Sequence, residues 1–129
     1  MNKEPCKVLV IDEDRNNADT TVMLLEMWRH EAKAAYSAED AIAKAKALDP
    51  DVIVMDLGRS AVNGLHLGDE LRRHCPDAKL VAITGLTAND IVRRTRAAGF
   101  DKVLFKPAPA RALQDAVETE CAASSNASG

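Results

Sequence analysis

The stretch Lys7-Val8-Leu9-Val10-Ile11-Asp12-Glu13-Asp14 decides how the rest of the chain is read. Val8 to Ile11 is a continuous apolar run without the alternation of a half-exposed strand, so it reads as a strand covered on both faces. It stops abruptly at three acids. The pattern returns further along. Asp51-Val52-Ile53-Val54-Met55 runs into Asp56, and Lys79-Leu80-Val81-Ala82-Ile83 runs into Thr84-Gly85. Asp101 to Phe105 is a last strand that ends in Lys106-Pro107. Glu31-Ala32-Lys33-Ala34-Ala35 is a weaker strand, because Ala is a poor strand former, and it is placed at a sheet edge.

Helical patterns fill the intervals. From about Asn16 to His30, the residues Ala18, Thr21, Val22, Leu25 and Trp28 fall on one face. Ser37-Ala38-Glu39-Asp40 reads as a variant capping box, with Asp in place of the usual Glu or Gln, and opens a helix that Asp49-Pro50 stops. Gly58 to Gly64 reads as a loop and Leu65 to His74 as a short helix stopped before Pro76. A helix runs from Thr87 to Ala98 with Gly99 just past its end, and the last helix runs from Ala108 to about Cys121 with Pro109 in its first turn. The order is (βα)5. It predicts an α/β fold, a doubly wound five-stranded parallel sheet with right-handed crossovers and strand order 2-1-3-4-5.

Composition agrees with one such domain. The chain has 129 residues, of which 47% are hydrophobic and only 3% aromatic, so its core must be built from Ala, Val, Leu and Ile. A net charge of −3 argues against nucleic-acid binding as the main task. No apolar run approaches the roughly 20 residues of a membrane span, and the run after the N-terminus is too short for a signal peptide. A cytoplasmic location is expected. Cys6, Cys75 and Cys121 show no C-x-x-C spacing and are read as small buried or half-buried thiols. The small polar residues at the end predict a flexible tail over 122–129.

Open parallel sheets place their sites at the carboxyl ends of the strands. There the fold would gather Asp12, Glu13 and Asp14, then Asp56, Thr84 and Lys106. Singly, each is ordinary turn or cap chemistry. Together they supply hard oxygen ligands that suit Mg²⁺, a hydroxyl, and an ammonium: equipment for holding a phosphoryl group. A carboxylate can itself be the acceptor, as an aspartyl phosphate, and Asp56 on the central strand is best placed for it.

These residues resemble the receiver domain of two-component response regulators, over about Lys7 to Cys121. The resemblance rests on Val8-Leu9-Val10-Ile11-Asp12-Glu13-Asp14, on Asp51-Val52-Ile53-Val54-Met55-Asp56 with Gly64 beyond it, on Ala82-Ile83-Thr84-Gly85, and on Gly99 through Lys106-Pro107. Thr84 lies 28 residues and Lys106 lies 50 residues past Asp56, which suits the family. Trp28-Arg29-His30-Glu31 is similar to its turn into the second strand. The resemblance implies a receiver domain over residues 1–121, with Asp56 as phosphoacceptor. Asp12, Glu13 and Asp56 would hold Mg²⁺ with the Gly58 carbonyl. Thr84 would be the switch hydroxyl, Lys106 the phosphate-binding ammonium, and the bond before Pro107 would be cis. A sensor histidine kinase or histidine phosphotransferase would be the donor. The last helix-strand-helix face carries Arg93, Arg94 and Arg96 together with Arg111, Asp115 and Glu118, and these mixed charges permit a homodimer resembling those of the family. Neither nucleic acid nor membrane is expected as a direct partner.

Four positions depart from the family pattern. Glu13 replaces the usual second Asp, Arg59-Ser60 replaces Met-Pro, Val103 replaces the aromatic switch residue, and Gly58 leaves the phosphate without a screening side chain. These departures support an alternative, a pseudo-receiver that acts as an interaction or dimerisation module without phosphorylation. An enzyme on the same topology is the third reading. A flavodoxin would need a Ser/Thr/Gly-rich loop where Asp12-Glu13-Asp14-Arg15 stands. A haloacid-dehalogenase phosphatase would need D-x-D where Asp56-Leu57-Gly58 stands. A signalling module, not an enzyme, is therefore expected, either standing alone or cut from a longer protein.

Overall fold

The computed structural model describes residues 6–57, 61–85 and 89–123. Among these the strands are β1 (Lys7–Ile11), β2 (Glu31–Ala35), β3 (Val52–Leu57), β4 (Lys79–Thr84) and β5 (Lys102–Phe105). They alternate with helices α1 (Arg15–Met27), α2 (Ala38–Leu48), α3 (Ala61–His74), α4 (Asn89–Ala97) and α5 (Ala110–Ala123). All strand pairs are parallel. The sheet order is β2-β1-β3-β4-β5, with the Ala-rich strand at an edge as expected.

The apolar runs lack alternation because both faces of the sheet are covered. Leu9, Ile11, Ile53, Met55 and Leu80 face one way, onto Ala41 and Ala45 of α2 and Leu71 of α3. Val8, Val10, Val52, Val54 and Val81 face the other way, onto Ala18 and Leu25 of α1 and Ala116 and Val117 of α5. The shortage of aromatics is met by small residues: Ala18, Ala41 and Ala45 are fully buried, which lets the helices sit close to the sheet.

Local chemistry sets the helix ends. Asp14 caps α1 by accepting a hydrogen bond from the Asn17 backbone N–H at 3.2 Å, so the helix starts directly behind the acids of β1. Ser37 caps α2, accepting from the Asp40 backbone N–H at 3.1 Å. The Asp40 carboxylate reaches back to Tyr36 N–H at 3.2 Å, one residue earlier than in the usual reciprocal box. Gly99 follows α4 with φ 96°, a left-handed conformation that favours glycine.

Three expectations need correction. Residues 61–64, read as loop because of Gly64, belong to α3: the Cβ that Gly64 lacks would collide with Leu57 Cδ2, so this glycine serves close helix–sheet packing rather than a turn. Helix α5 continues to Ala123, two residues into the expected tail, and 124–129 lie outside the described residues. Cys6 and Cys121 are not separate thiols. They are joined in a disulfide, with Cα atoms 6.1 Å apart across 115 residues of sequence, and only Cys75 is free. The fold packs the end of α5 against the start of β1, a proximity that cysteine spacing cannot reveal. Beside this bond His30 is buried, with Nδ1 accepting from Cys6 N–H at 3.1 Å and Nε2 facing Glu118 Oε2 at 3.8 Å. Burial pulls the His30 pKa below its ordinary value, against the pull of Glu118.

Gly68, within α3, is a second such packing point. A Cβ there would lie 2.6 Å from the buried Phe100 ring. Gly68→Ala would gain roughly 1 kcal/mol of helix propensity but faces an overpacking cost of about 1–3 kcal/mol. Urea denaturation is expected to show a net loss of about 1 kcal/mol with unchanged slope. A more stable variant would show that the ring yields freely.

Candidate functional site

The carboxyl ends of β1, β3 and β4, and the residue after β5, meet at one edge of the sheet. Asp12 follows β1 and is 8% exposed, anchored by its backbone N–H donating to Ala35 O at 3.0 Å. Asp56 is the penultimate residue of β3, its side chain also 8% exposed. The Lys106 ammonium reaches it from beyond β5, with Nζ 2.9 Å from Oδ1 and 2.8 Å from Oδ2. Lys106 is held in turn by its backbone N–H donating to Thr84 O at 2.9 Å, and the Lys106–Pro107 bond is cis. Thr84, the last residue of β4, is fully buried.

Two carboxylates side by side with little water should repel, and the Asp56 pKa shows it. Burial is the largest cause and raises it above the ordinary carboxylate value; the Asp12 charge raises it further, while Lys106 pulls it down. The opposing cation therefore offsets only part of the cost of keeping Asp56 ionised.

A residue that the strand-end reading passed over completes the cluster. Asn17, in the first turn of α1, donates its side-chain Nδ2 to Asp12 Oδ2 and to Asp56 Oδ2, the latter at 3.3 Å. The signal was available: a helix that begins immediately after β1 must aim its first turn across the strand ends. Glu13, by contrast, is exposed. It borders the cleft that Asp12 and Asp56 share, and a neighbouring groove with Tyr36, Ser37 and His66. Among the described residues no three His, Cys, Asp or Glu side chains come close enough to hold a metal ion together. The donor set that does converge, Asp12 with Asp56, still fits Mg²⁺, which takes one or two carboxylates and keeps several waters. Gly58 and the Arg59-Ser60 pair lie outside the described residues.

Comparison with known proteins agrees with this fold. The family model "Response regulator receiver domain" matches residues 8–118. The response regulator protein VraR of Staphylococcus aureus is 33% identical over 81 residues, covering 63% of this chain and 39% of that protein. The match thus spans well under half the length of these curated relatives. Among solved structures, a CheY-like receiver domain protein from Methanospirillum hungatei superposes with a TM-score of 0.84 at 22% identity, covering 93% of this chain and 96% of the other. A two-component response regulator from Clostridium difficile gives 0.82 at 25% identity, covering 90% and 95%. This chain belongs to the response regulator receiver domain family, whose members are signalling modules of two-component systems. No helix of the described residues is long and apolar enough to cross a membrane.

A carboxyl whose pKa is raised on folding favours the folded chain below its unfolded pKa, and that contribution is lost as pH rises through the raised folded value. At neutral pH the ionised Asp56 therefore costs stability. Asp56→Asn, isosteric and uncharged, is expected to raise the Tm by a few degrees at neutral pH, with the gap closing as pH falls through the Asp56 pKa. Calorimetry across pH checks this. A lower Tm for the variant at neutral pH would mean that the Lys106 pair outweighs burial.

Proposed function

We propose that this domain accepts a phosphoryl group on Asp56 from the phosphohistidine of a sensor histidine kinase or histidine phosphotransferase, and that the modified domain changes its choice of partner. One observation carries the reading: the Asp56 carboxylate sits at the centre of the sheet edge with the Lys106 ammonium 2.8 Å away and Asp12 alongside. In the transfer, an Asp56 oxygen forms the new O–P bond as the N–P bond of the donor breaks, and the imidazole leaves with the electron pair. Lys106, freed from the carboxylate, neutralises a phosphoryl oxygen, and the Thr84 hydroxyl donates to another. Asp12 and Asp56 would hold Mg²⁺, which when bound neutralises charge on the phosphoryl oxygens.

The readout falls to β5 and its neighbours. Val103 is half-buried where relatives would carry a ring, and a branched side chain is short and stiff at χ1. Thr84 movement would then pass through its strand neighbour Phe105, which is 43% exposed. A homodimer through α4, β5 and α5 is a further partner interaction in this reading. It would use Arg93 and Arg96 against Asp115, all exposed. Glu118 is not available to that face, since it accepts from Gln114 Nε2 at 3.2 Å and faces His30.

Intact mass spectrometry after incubation with a small phosphodonor and Mg²⁺ tests the reading. One phosphoryl adduct is expected on the native chain and none on Asp56→Asn. Lys106→Ala should slow labelling by at least about tenfold, in line with losing one preorganised charge partner. Undiminished labelling of Asp56→Asn would remove Asp56 from the role.

A further inference from the structure

We infer that Asn17 is a built-in competitor of the divalent cation, and that its side-chain amide sets how weakly this receiver holds the ion. The inference rests on the phosphoacceptor reading and deepens it, naming a residue that regulates cation occupancy.

The backbone of Asn17 is pinned on both sides. Its N–H donates to Asp14 Oδ1 at 3.2 Å, and its carbonyl accepts from Thr21 Oγ1 at 2.9 Å. An Asn in the first turn of a helix ordinarily spends its side chain on local backbone groups. Here Asp14 already caps the helix, and the Asn17 side chain reaches over the strand ends instead. Only the NH₂ end of an amide can face two carboxylates without repulsion, so the identity of the facing atom follows from the donor and acceptor inventory. Its two N–H donors suffice for Asp12 and Asp56, one each.

A cation held by Asp12 and Asp56 would draw on the two carboxylates that the amide already contacts. Hydrogen bonds to ionised acceptors are stronger than neutral ones. A cation drawing on Asp12 Oδ2 and Asp56 Oδ2 must therefore displace both contacts or turn the amide away. Glu13 is exposed and is not close enough to Asp12 and Asp56 to form a three-carboxylate metal site with them. Removing the amide leaves Lys106 as the cationic partner of the pair, so a bound cation gains more by neutralising the two carboxylates.

The test is calorimetric titration of Mg²⁺ into the unphosphorylated chain and into Asn17→Ala and Asn17→Asp. Position 17 is exposed and helical, and Ala is the best helix former, so the first variant should fold normally. Competition predicts the affinity order Asp, then Ala, then the native Asn, with Ala about tenfold tighter than native. If the amide carbonyl were instead a ligand, Ala would bind most weakly. An Ala variant with equal or weaker affinity, in a chain still phosphorylated on Asp56, overturns the competitor role and leaves the phosphoacceptor reading intact. A tighter Ala variant in a chain that takes no phosphoryl group keeps the competitor role and overturns that reading. No Mg²⁺ binding by any of the three chains overturns both.

Discussion

The repulsion between Asp12 and Asp56 is the constraint around which the rest of the structure is arranged. A parallel sheet brings the ends of β1 and β3 together as adjacent strands, and each ends in a carboxylate that is almost out of water. Such a pair is costly unless something neutralises it. The fold supplies two partial solutions from different directions: an ammonium from beyond β5 and an amide from the first turn of α1. Neither fully compensates: burial first, and then the Asp12 charge, leave the Asp56 pKa raised. A site left in this condition has a standing affinity for positive charge, which a bound cation would satisfy.

The same geometry explains how an event at Asp56 could be felt elsewhere. Lys106 is tethered to Thr84 through its backbone, so a shift of the ammonium from carboxylate to phosphoryl oxygen would pull on the β4–β5 edge. That edge is the exposed end of the sheet order, and α5 is fastened to the opposite end of β1 by the Cys6–Cys121 bond. The far end of α5 is thus held while its first turn adjoins the Lys106-Pro107 segment. Movement is expected to concentrate near β5 and the start of α5 rather than along the whole helix. Val103, short and stiff, offers no second position comparable to that of a swinging ring.

Much of this was legible in the residues. Val8 to Ile11 and Val52 to Met55 lack alternation because both faces are buried, and with helices alternating between the strands that predicts a parallel, doubly wound sheet. Asp56, Thr84 and Lys106 could be placed because strand ends in such sheets converge. Glu13 stands next to Asp12 at the end of β1, and its side chain is exposed at the border of the cleft. Asn17 was overlooked because its chemistry depends on where a helix points, which periodicity does not state. The Cys6–Cys121 pairing depends on contact between the two ends of the fold, and Gly64 read as a turn residue because its use in close packing leaves the same mark on a sequence as a bend.

The central claim is that Asp56 is the seat of a phosphoryl-type adduct stabilised by Lys106. Fluorine NMR of the chain with beryllofluoride, a stable phosphoryl mimic, tests it most directly. The account predicts protein-bound fluorine resonances that appear only with Mg²⁺ present, vanish in Asp56→Asn, and shift in Lys106→Ala. Bound resonances that persist in Asp56→Asn, or none with the native chain at saturating Mg²⁺, would contradict it.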